Sequence, residues 1–440
     1  MSENNYNAIV VRLPKPRKHE NADKLQCYSI FGNNIITDLN SSEGDLGVYF
    51  PLECALSKAF MYENNLYSNS ELNKDKTKKG YFGDHGRVKA VKLRGEPSMG
   101  IWLPITCLDW STDNKILYIG NLLKEGYEFQ NLNGYEICSK YIPKRNIPSG
   151  NKSTRKQKKV KKQSRIIEGQ FNFHFDTAQL GKNIHKIHPD DIISISWKLH
   201  GTSAIASNCL VKKKLTKLNK FFKFLGADIR EEEYDYLYAS RKVVKNEELG
   251  FSKNHYYKYD LWTEVGKEYF ENKLYTGETI YYEIIGFTKD GNYIQKDFDY
   301  GCSEKQCKIY VYRITRTAKD GSITELSDDL LRRRCLQLEV NPVPAIYNGK
   351  AKSLFPINEE TEEWSEKFFE SLSKYYVYNQ DSIFCKNKVP EEGICIRKEG
   401  LEIEVFKLKS FAFLEKESKD LDSGKQDLET SQSIEENDIK

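Results

Sequence analysis

194-SISWKLHGTSAIAS-207 sets two apolar, β-rich runs around a polar knot, Lys198-Leu199-His200-Gly201-Thr202-Ser203. The runs on either side predict two short strands. The knot itself has two readings. In the first, Gly201 makes a tight turn and Lys198 points at water. In the second, Lys198 is a nucleophile held at a strand end, which makes the chain an enzyme. The rest of the sequence has to choose between them.

A lone K-x-x-G carries little weight, because 53 lysines and 27 glycines in 440 positions give about three by chance. Its weight comes from an ordered set downstream: Arg241 in YASRKVV, Glu283 in IYYEIIGF, Tyr312 in YVYRIT, Glu392 in PEEGICIRK, and Lys407 and Lys409 in EVFKLKSF. Each lies in or beside a predicted strand and can project from a sheet face into a shared groove. Lys407 and Lys409 are two apart and share a face. Taken singly, each has a plain structural reading: a strand glutamate facing water, a core tyrosine, a surface pair of lysines.

In this order the residues resemble nucleotidyl transferase motifs I, III, IIIa, IV and V of the covalent nucleotidyltransferase superfamily, which holds ATP-dependent DNA and RNA ligases and mRNA capping enzymes. KLHGTS resembles motif I of nick-sealing RNA ligases, where histidine stands at the place that most DNA ligases and capping enzymes fill with aspartate. FHFDTAQLGKN, upstream of it, and FKLKSFAFLEKE, at motif V, are similar to the branch of RNA ligases with an N-terminal OB module. The resemblance implies ATP and Mg²⁺ or Mn²⁺ as cofactors. It implies Lys198 as the nucleophile that becomes AMP-linked, with Lys407, Lys409 and His200 as catalytic neighbours. Nucleotide contacts fall to Gly201, Arg241, Glu283, Tyr312, Glu392, Asp176, Thr177 and Gln179, and metal contacts to Glu283 and Glu392. The implied substrate is RNA with 3′-OH and 5′-phosphate ends, sealed at nicks in a duplex by a monomer.

The residue chemistry agrees with this. An ammonium cannot attack, so Lys198 needs burial, a metal or cations such as Lys407 and Lys409 to shed its proton. The same cations suit phosphate oxygens and the charge of an in-line displacement. Glutamates are hard ligands for Mg²⁺, directly or through its waters. Tyr312 suits stacking on adenine, and Arg241 a sugar or phosphate contact. Two letters depart from the family pattern: Trp197 precedes Lys198 where glutamate is common, and Ser203 follows Thr202 where asparagine is common. With histidine at 200, no metal role is assigned to that position. The rivals are a non-catalytic RNA-binding protein with a degenerate transferase domain and a capping guanylyltransferase. The intact lysines and glutamates oppose the first; His200 and the missing C-terminal OB module oppose the second.

Composition frames the same picture. A chain of 440 residues is long enough for two or three domains, and its net charge of +4 is only weakly basic. Ten cysteines without CxxC spacing read as buried free thiols. No Walker A or GxGxxG run occurs, and no long apolar run or leader, so a soluble intracellular protein is expected, cytoplasmic or nuclear. Residues 1–145 carry five or so short strands and one helical piece, ALSKAFMYEN, which predicts an OB-like Greek-key barrel that binds nucleic acid. HENADKL (His19 to Leu25) and KLRGEPSMGIWLP (Lys92 to Pro104) are similar to the paired signatures of tRNA-binding OB domains, which makes Lys24, Lys92 and Arg94 the RNA-contacting candidates. Residues 146–168 are expected to be a solvated basic linker, since NKSTRKQKKVKKQSR holds eight cations and no acid. Residues 169–416 read as an antiparallel α+β transferase domain, and 417–440 as a disordered acidic tail.

Overall fold

Thr202–Lys212 buries ten of its eleven residues, which requires cover on both faces. Ala204 and Ala206 share a core with Trp262, Val265 and Phe270 of the helix Leu261–Phe270. Ile205, Cys209 and Val211 cluster instead with Phe171, Ala239 and Tyr281. The strand therefore lies inside a six-stranded sheet, ordered Glu232–Ser240, Thr202–Lys212, Glu278–Gly286, Cys307–Thr317, Ile323–Glu325, with Asn341–Pro342 parallel beside Cys307–Thr317. These coordinates are a computed structural model, which describes residues 5–112, 123–142, 165–245, 257, 259–358, 363–378 and 380–423.

Ile192–Lys198 belongs to a second sheet, ordered Ala178–Gln179, Glu404–Lys409, Gly393–Lys398, Ile192–Lys198, Ala345–Lys350. Ile193, Ile195, Ile394, Ile396 and Phe406 from that sheet pack with Trp364, Phe368 and Leu372 of the helix Trp364–Leu372. The polar knot is thus a crossing between two sheets. The expected reason for Gly201 changes with it. Its backbone is not left-handed, but an added Cβ would lie 2.3 Å from the Ile284 carbonyl oxygen and 2.9 Å from Glu283 Cγ. Close approach of a neighbouring strand, not a turn, demands the glycine. The antiparallel α+β expectation holds for the described strands of these two sheets, where parallel pairing joins only Ala178–Gln179 to Glu404–Lys409 and Asn341–Pro342 to Cys307–Thr317.

The N-terminal region forms a four-stranded antiparallel sheet, Glu128–Phe129, Ala8–Arg12, Leu46–Phe50, Ile101–Pro104, and a three-stranded meander, Arg17–Lys18, Leu25–Ile30, Asn33–Asp38. Ile9, Val11 and Trp102 of the first pack on Tyr28, Ile30 and Ile35 of the second. The expected barrel is not seen: among the described residues no circuit of strand pairings closes the two sheets on each other. The paired motifs do meet. His19 Nδ1 accepts from the Asn21 N–H, so its Nε2 proton goes to the Leu93 carbonyl at 3.0 Å, and Glu96 Oε1 accepts the Glu20 N–H at 2.6 Å.

Two expected boundaries move. Of the basic linker, residues 146–164 lie outside the described residues, but Arg165 already pairs with Glu233 and Asp235, and Ile166 bridges to Val211. The acidic tail does not begin at 417, because the helix Phe411–Asp422, capped by Ser410, runs past it. Its Asp422 pairs with Arg87 and Lys89 at 2.8 Å, and its Glu417 with Lys409 at 3.4 Å. Composition made this segment look unpartnered; basic side chains from distant segments neutralise it. Residues 424–440 lie outside the described residues. All ten cysteines are free thiols. Among the described residues no helix is long and apolar enough to cross a membrane.

Candidate active site

Strand register assembles the site. Lys198 ends its strand opposite Gly393, and Gly393 lies opposite Lys409 in the next pair. Glu392, one residue before Gly393, therefore sits between two lysines. Lys198 Nζ donates to Glu392 Oε1 at 2.7 Å, Lys409 Nζ stands 3.7 Å from the same oxygen, and His200 Nδ1 lies 3.9 Å from Oε2. Burial pushes the Glu392 carboxyl up, but Lys198, Lys409 and His200 outweigh it and hold the group below its ordinary range. Glu391, next in the chain, lacks those cations. Burial raises it to about 7.

The crossing is anchored from the six-stranded sheet and the segments packed on it. Glu283, opposite Ser203 in register, accepts the Gly201 N–H at 3.1 Å. Gln295 Nε2 donates to the Gly201 carbonyl at 2.7 Å, the His200 N–H donates to the Tyr300 hydroxyl, and Trp262 Nε1 donates to the Ser203 carbonyl at 3.2 Å. The His200 ring meets the rings of Phe298 and Phe413 edge to face, with centroids 4.9 and 4.8 Å away. That packing fixes the imidazole beneath Glu392.

A cavity of about 190 Å³ opens above this floor. Lys198, Arg241, Glu283, Tyr312, Lys407 and Lys409 line it, together with Asp176 and Thr177. Arg241 donates to Asp176, and the Tyr312 hydroxyl lies 2.8 Å from Ser203 Oγ. Burial raises the Asp176 carboxyl, yet Arg241, Lys140, Lys407 and Lys242 bring it below its ordinary range. Burial lowers Lys407, Glu53 opposes that, and Lys409, Arg241 and Lys198 add to it; the net direction is down. Glu392, His200 and Gly201 form the floor and do not line the cavity. Gln179, in register with Lys407, lies behind that strand on a smaller cavity of about 50 Å³.

Of the expected RNA-contacting side chains, Lys92 is drawn towards Glu415 at 3.8 Å and over the Phe411 ring. Arg94 and Lys24 are exposed and lie outside both cavities. Among the described residues no group of three or more His, Cys, Asp or Glu is arranged to hold a metal ion. Glu283 lines the cavity and suits Mg²⁺, which takes one or two carboxylates, waters and substrate phosphates. Glu392 is engaged in its ion pairs below. The sequence reading missed several lining residues. His174 and Phe175 stack on each other at 5.4 Å, with His174 also edge-on to Tyr312 at 5.1 Å. They sit inside the quoted FHFDT run, and their aromatic character was the available signal. Tyr6, Glu53, Arg87 and Lys140 come from the N-terminal region, and no local pattern marks them.

No protein-family model and no curated sequence matches the chain. Solved structures do. A point variant of Naegleria gruberi RNA ligase with AMP and Mn superposes with a TM-score of 0.58 at 15% identity, covering 93% of this chain and 98% of that one. A second variant, with ATP and Mn, gives 0.56 at 14% identity over the same shares. The same ligase with PPi gives 0.53 at 15% identity, again over 93% and 98%. The fold is similar to that of this RNA ligase. At this identity the likeness speaks for the fold, and it extends over the N-terminal region as well as the two sheets that carry Lys198 and Glu283.

Proposed function

We propose that the chain is an ATP-dependent RNA ligase that joins 3′-OH and 5′-phosphate ends, using ATP and Mg²⁺ or Mn²⁺. The observation that carries this reading is the convergence of Lys198, Lys407, Lys409, Arg241, Glu283 and Tyr312 from two sheets on one cavity. Naegleria gruberi RNA ligase, whose fold is similar, has been solved with ATP, AMP, PPi and Mn, which supports the same cofactors here.

The residues have distinct work. Lys198 Nζ attacks the α-phosphorus of ATP, and the bond to pyrophosphate breaks. An ammonium paired with a carboxylate cannot attack, so Lys198 releases its proton to water in the open cavity, and Glu392 keeps Lys409 as its cation. Lys407 and Lys409 receive the α-phosphate oxygens and the charge that grows on them. Arg241 and Tyr312 take the sugar and base. A bound metal would supply neutralisation of phosphate charge, and Glu283 is the cavity carboxylate that would hold it. AMP then passes from Lys198 to the RNA 5′-phosphate, and a 3′-hydroxyl attacks that phosphorus with AMP leaving. The N-terminal region acts as an OB-type module gripping the RNA, with nicks in a duplex as the preferred ends.

Incubation with ATP or GTP carrying an α-phosphate label, followed by a denaturing gel, tests the reading. Covalent label from ATP that disappears in Lys198→Ala is the expected result. Label from GTP alone would indicate a capping activity, and no label from either would sink the proposal. Ligation of nicked duplexes with RNA or DNA on the 3′-OH side reads the strand preference.

A further inference from the structure

Glu53 stands where no transferase motif predicts a carboxylate. It comes from the N-terminal region, after the strand Leu46–Phe50, and it lines both the main cavity and the smaller one behind the Lys407–Lys409 strand. Its Oε1 lies 3.7 Å from Lys409 Nζ. The backbone there is left-handed, with φ of +66°, a conformation that costs a side-chain-bearing residue and is usually given to glycine or asparagine. The Tyr141 N–H holds the bend by donating to the Glu53 carbonyl at 2.9 Å. The turn is thus fixed in an unfavourable conformation whose effect is to present one acid to two lysines.

We propose, on the ligase reading above, that Glu53 is a positioning residue for phosphate binding: reaching across from the N-terminal region, it keeps the Lys407–Lys409 pair charged and spaced so that both can receive phosphate oxygens. Two ammonium groups on one strand face repel and are partly stripped of water, which favours loss of a proton from one of them. Lys407 faces Lys409 on its own strand, Lys198 and Cys395 on the next strands, Arg241 and Asp176 across the cavity, and Glu53 from the N-terminal region. Three of these are cations that disfavour its charge. Glu53 is the acid that most opposes them. It is itself held below the ordinary carboxylate range: burial raises it, but Lys409, Lys407 and Lys140 more than offset that. It stays ionised while Lys407 titrates.

The sign follows directly. Lys407 binds phosphate while protonated, so binding falls as pH rises through its titration. Removing the Glu53 charge moves that fall to lower pH. A residue that merely stabilised the turn would change melting temperature and leave the pH of the fall where it was.

The experiment uses the full chain and inorganic pyrophosphate as probe, with affinity measured by calorimetry from pH 6 to 9.5 for wild type, Glu53→Gln, Glu53→Asp and Lys407→Met. For Glu53→Gln the alkaline fall should move to lower pH, leaving binding about tenfold weaker than wild type at the alkaline end and no weaker near pH 6. Glu53→Asp should restore the wild-type profile in part, which also guards against a folding defect in the first variant. In a Lys407→Met background, Glu53→Gln should no longer move the profile. An unmoved fall in a folded Glu53→Gln protein, a shift that persists without Lys407, or no pyrophosphate binding by wild type would each overturn the proposal. Lysyl-AMP formation, followed in parallel, separates the two ideas: a wild type that binds pyrophosphate with the expected Glu53 dependence but never becomes adenylylated removes the ligase reading and leaves the role of Glu53 standing.

Discussion

Two buried glutamates, Glu96 in the N-terminal region and Glu392 beside the strand that ends in Lys198, tie together two motifs each, and they do so in opposite ways. Glu96 accepts from the Glu20 N–H, from Arg17 Nη2 at 2.5 Å and from Cys27 Sγ. One donor is backbone, and none of the three partners lines either of the two cavities described above. Glu392 is held by Lys198 and Lys409, both of which reach into the cavity, with His200 beside it. A carboxylate tied to a backbone amide and to side chains remote from any cavity holds the fold. One whose partners are cations at a cavity wall has partners that can be drawn away by a ligand. Burial and ion pairing alone do not separate the two cases; the destination of the partners does.

The comparison breaks most easily at Lys198. Lys198→Ala should abolish covalent AMP labelling, a loss of about 10⁴-fold or more in the first step, with little change in the melting curve. Glu392→Gln should slow the same step by about 10²- to 10³-fold through loss of the charge that balances Lys198 and Lys409, measured as single-turnover lysyl-AMP formation. If Glu392→Gln instead costs mainly stability, the two glutamates are alike and the distinction fails.

Glu96→Gln should do the reverse. Removing the charge of this buried carboxylate, whose Arg17 partner is half-exposed, is expected to cost about 2 kcal/mol in urea unfolding while adenylylation per folded molecule stays within about twofold. The pH dependence has a definite sign. The Arg17 guanidinium beside Glu96, with the Glu20 N–H, brings its carboxyl down to about 2 against burial. Its stabilisation is therefore complete above the ordinary carboxylate range, near pH 4.3, and is lost as pH falls towards about 2. Wild-type and Glu96→Gln stabilities should converge over that interval. The smallest expected effect belongs to Glu391, raised by burial to about 7. Its folded form holds a proton that the unfolded chain has released, so wild type loses stability as pH rises from about 4.3 to about 7. Glu391→Gln should be more stable than wild type at pH 8 and equal to it near pH 4, read from urea midpoints.

Much of the two-sheet region after residue 165 was legible because its signals are local. The strands around Lys198, Glu283, Tyr312, Glu392 and Lys407 were marked by β-branched and aromatic runs, and Ser327 with Asp328 and Asp329 marked the start of the helix Asp328–Leu338. The helix Leu261–Phe270 was missed although Asp260 caps it, since its apolar face is read only against Tyr238 and Tyr282 of other strands. In the N-terminal region the paired motifs were found, but the contact between them was not legible. His19 and Glu96 bind each other's segments, and Lys92 turns to the C-terminal helix. The acidic run from Glu417 was misjudged for the same reason: charge counts give no information about partners.

By itself the sequence determined the order of strands, the motif series from Lys198 to Lys409 and the α+β class, all of which follow from side-chain period and spacing along the chain. The tertiary structure decided the rest. It made 194-SISWKLHGTSAIAS-207 a crossing between two sheets, required Gly201 because the Glu283 strand passes too close for a Cβ, and carried Glu53 to the motif V lysines. These contacts join segments whose separation leaves no period or spacing to read, and their energies depend on distance and burial, which exist only once the chain has folded.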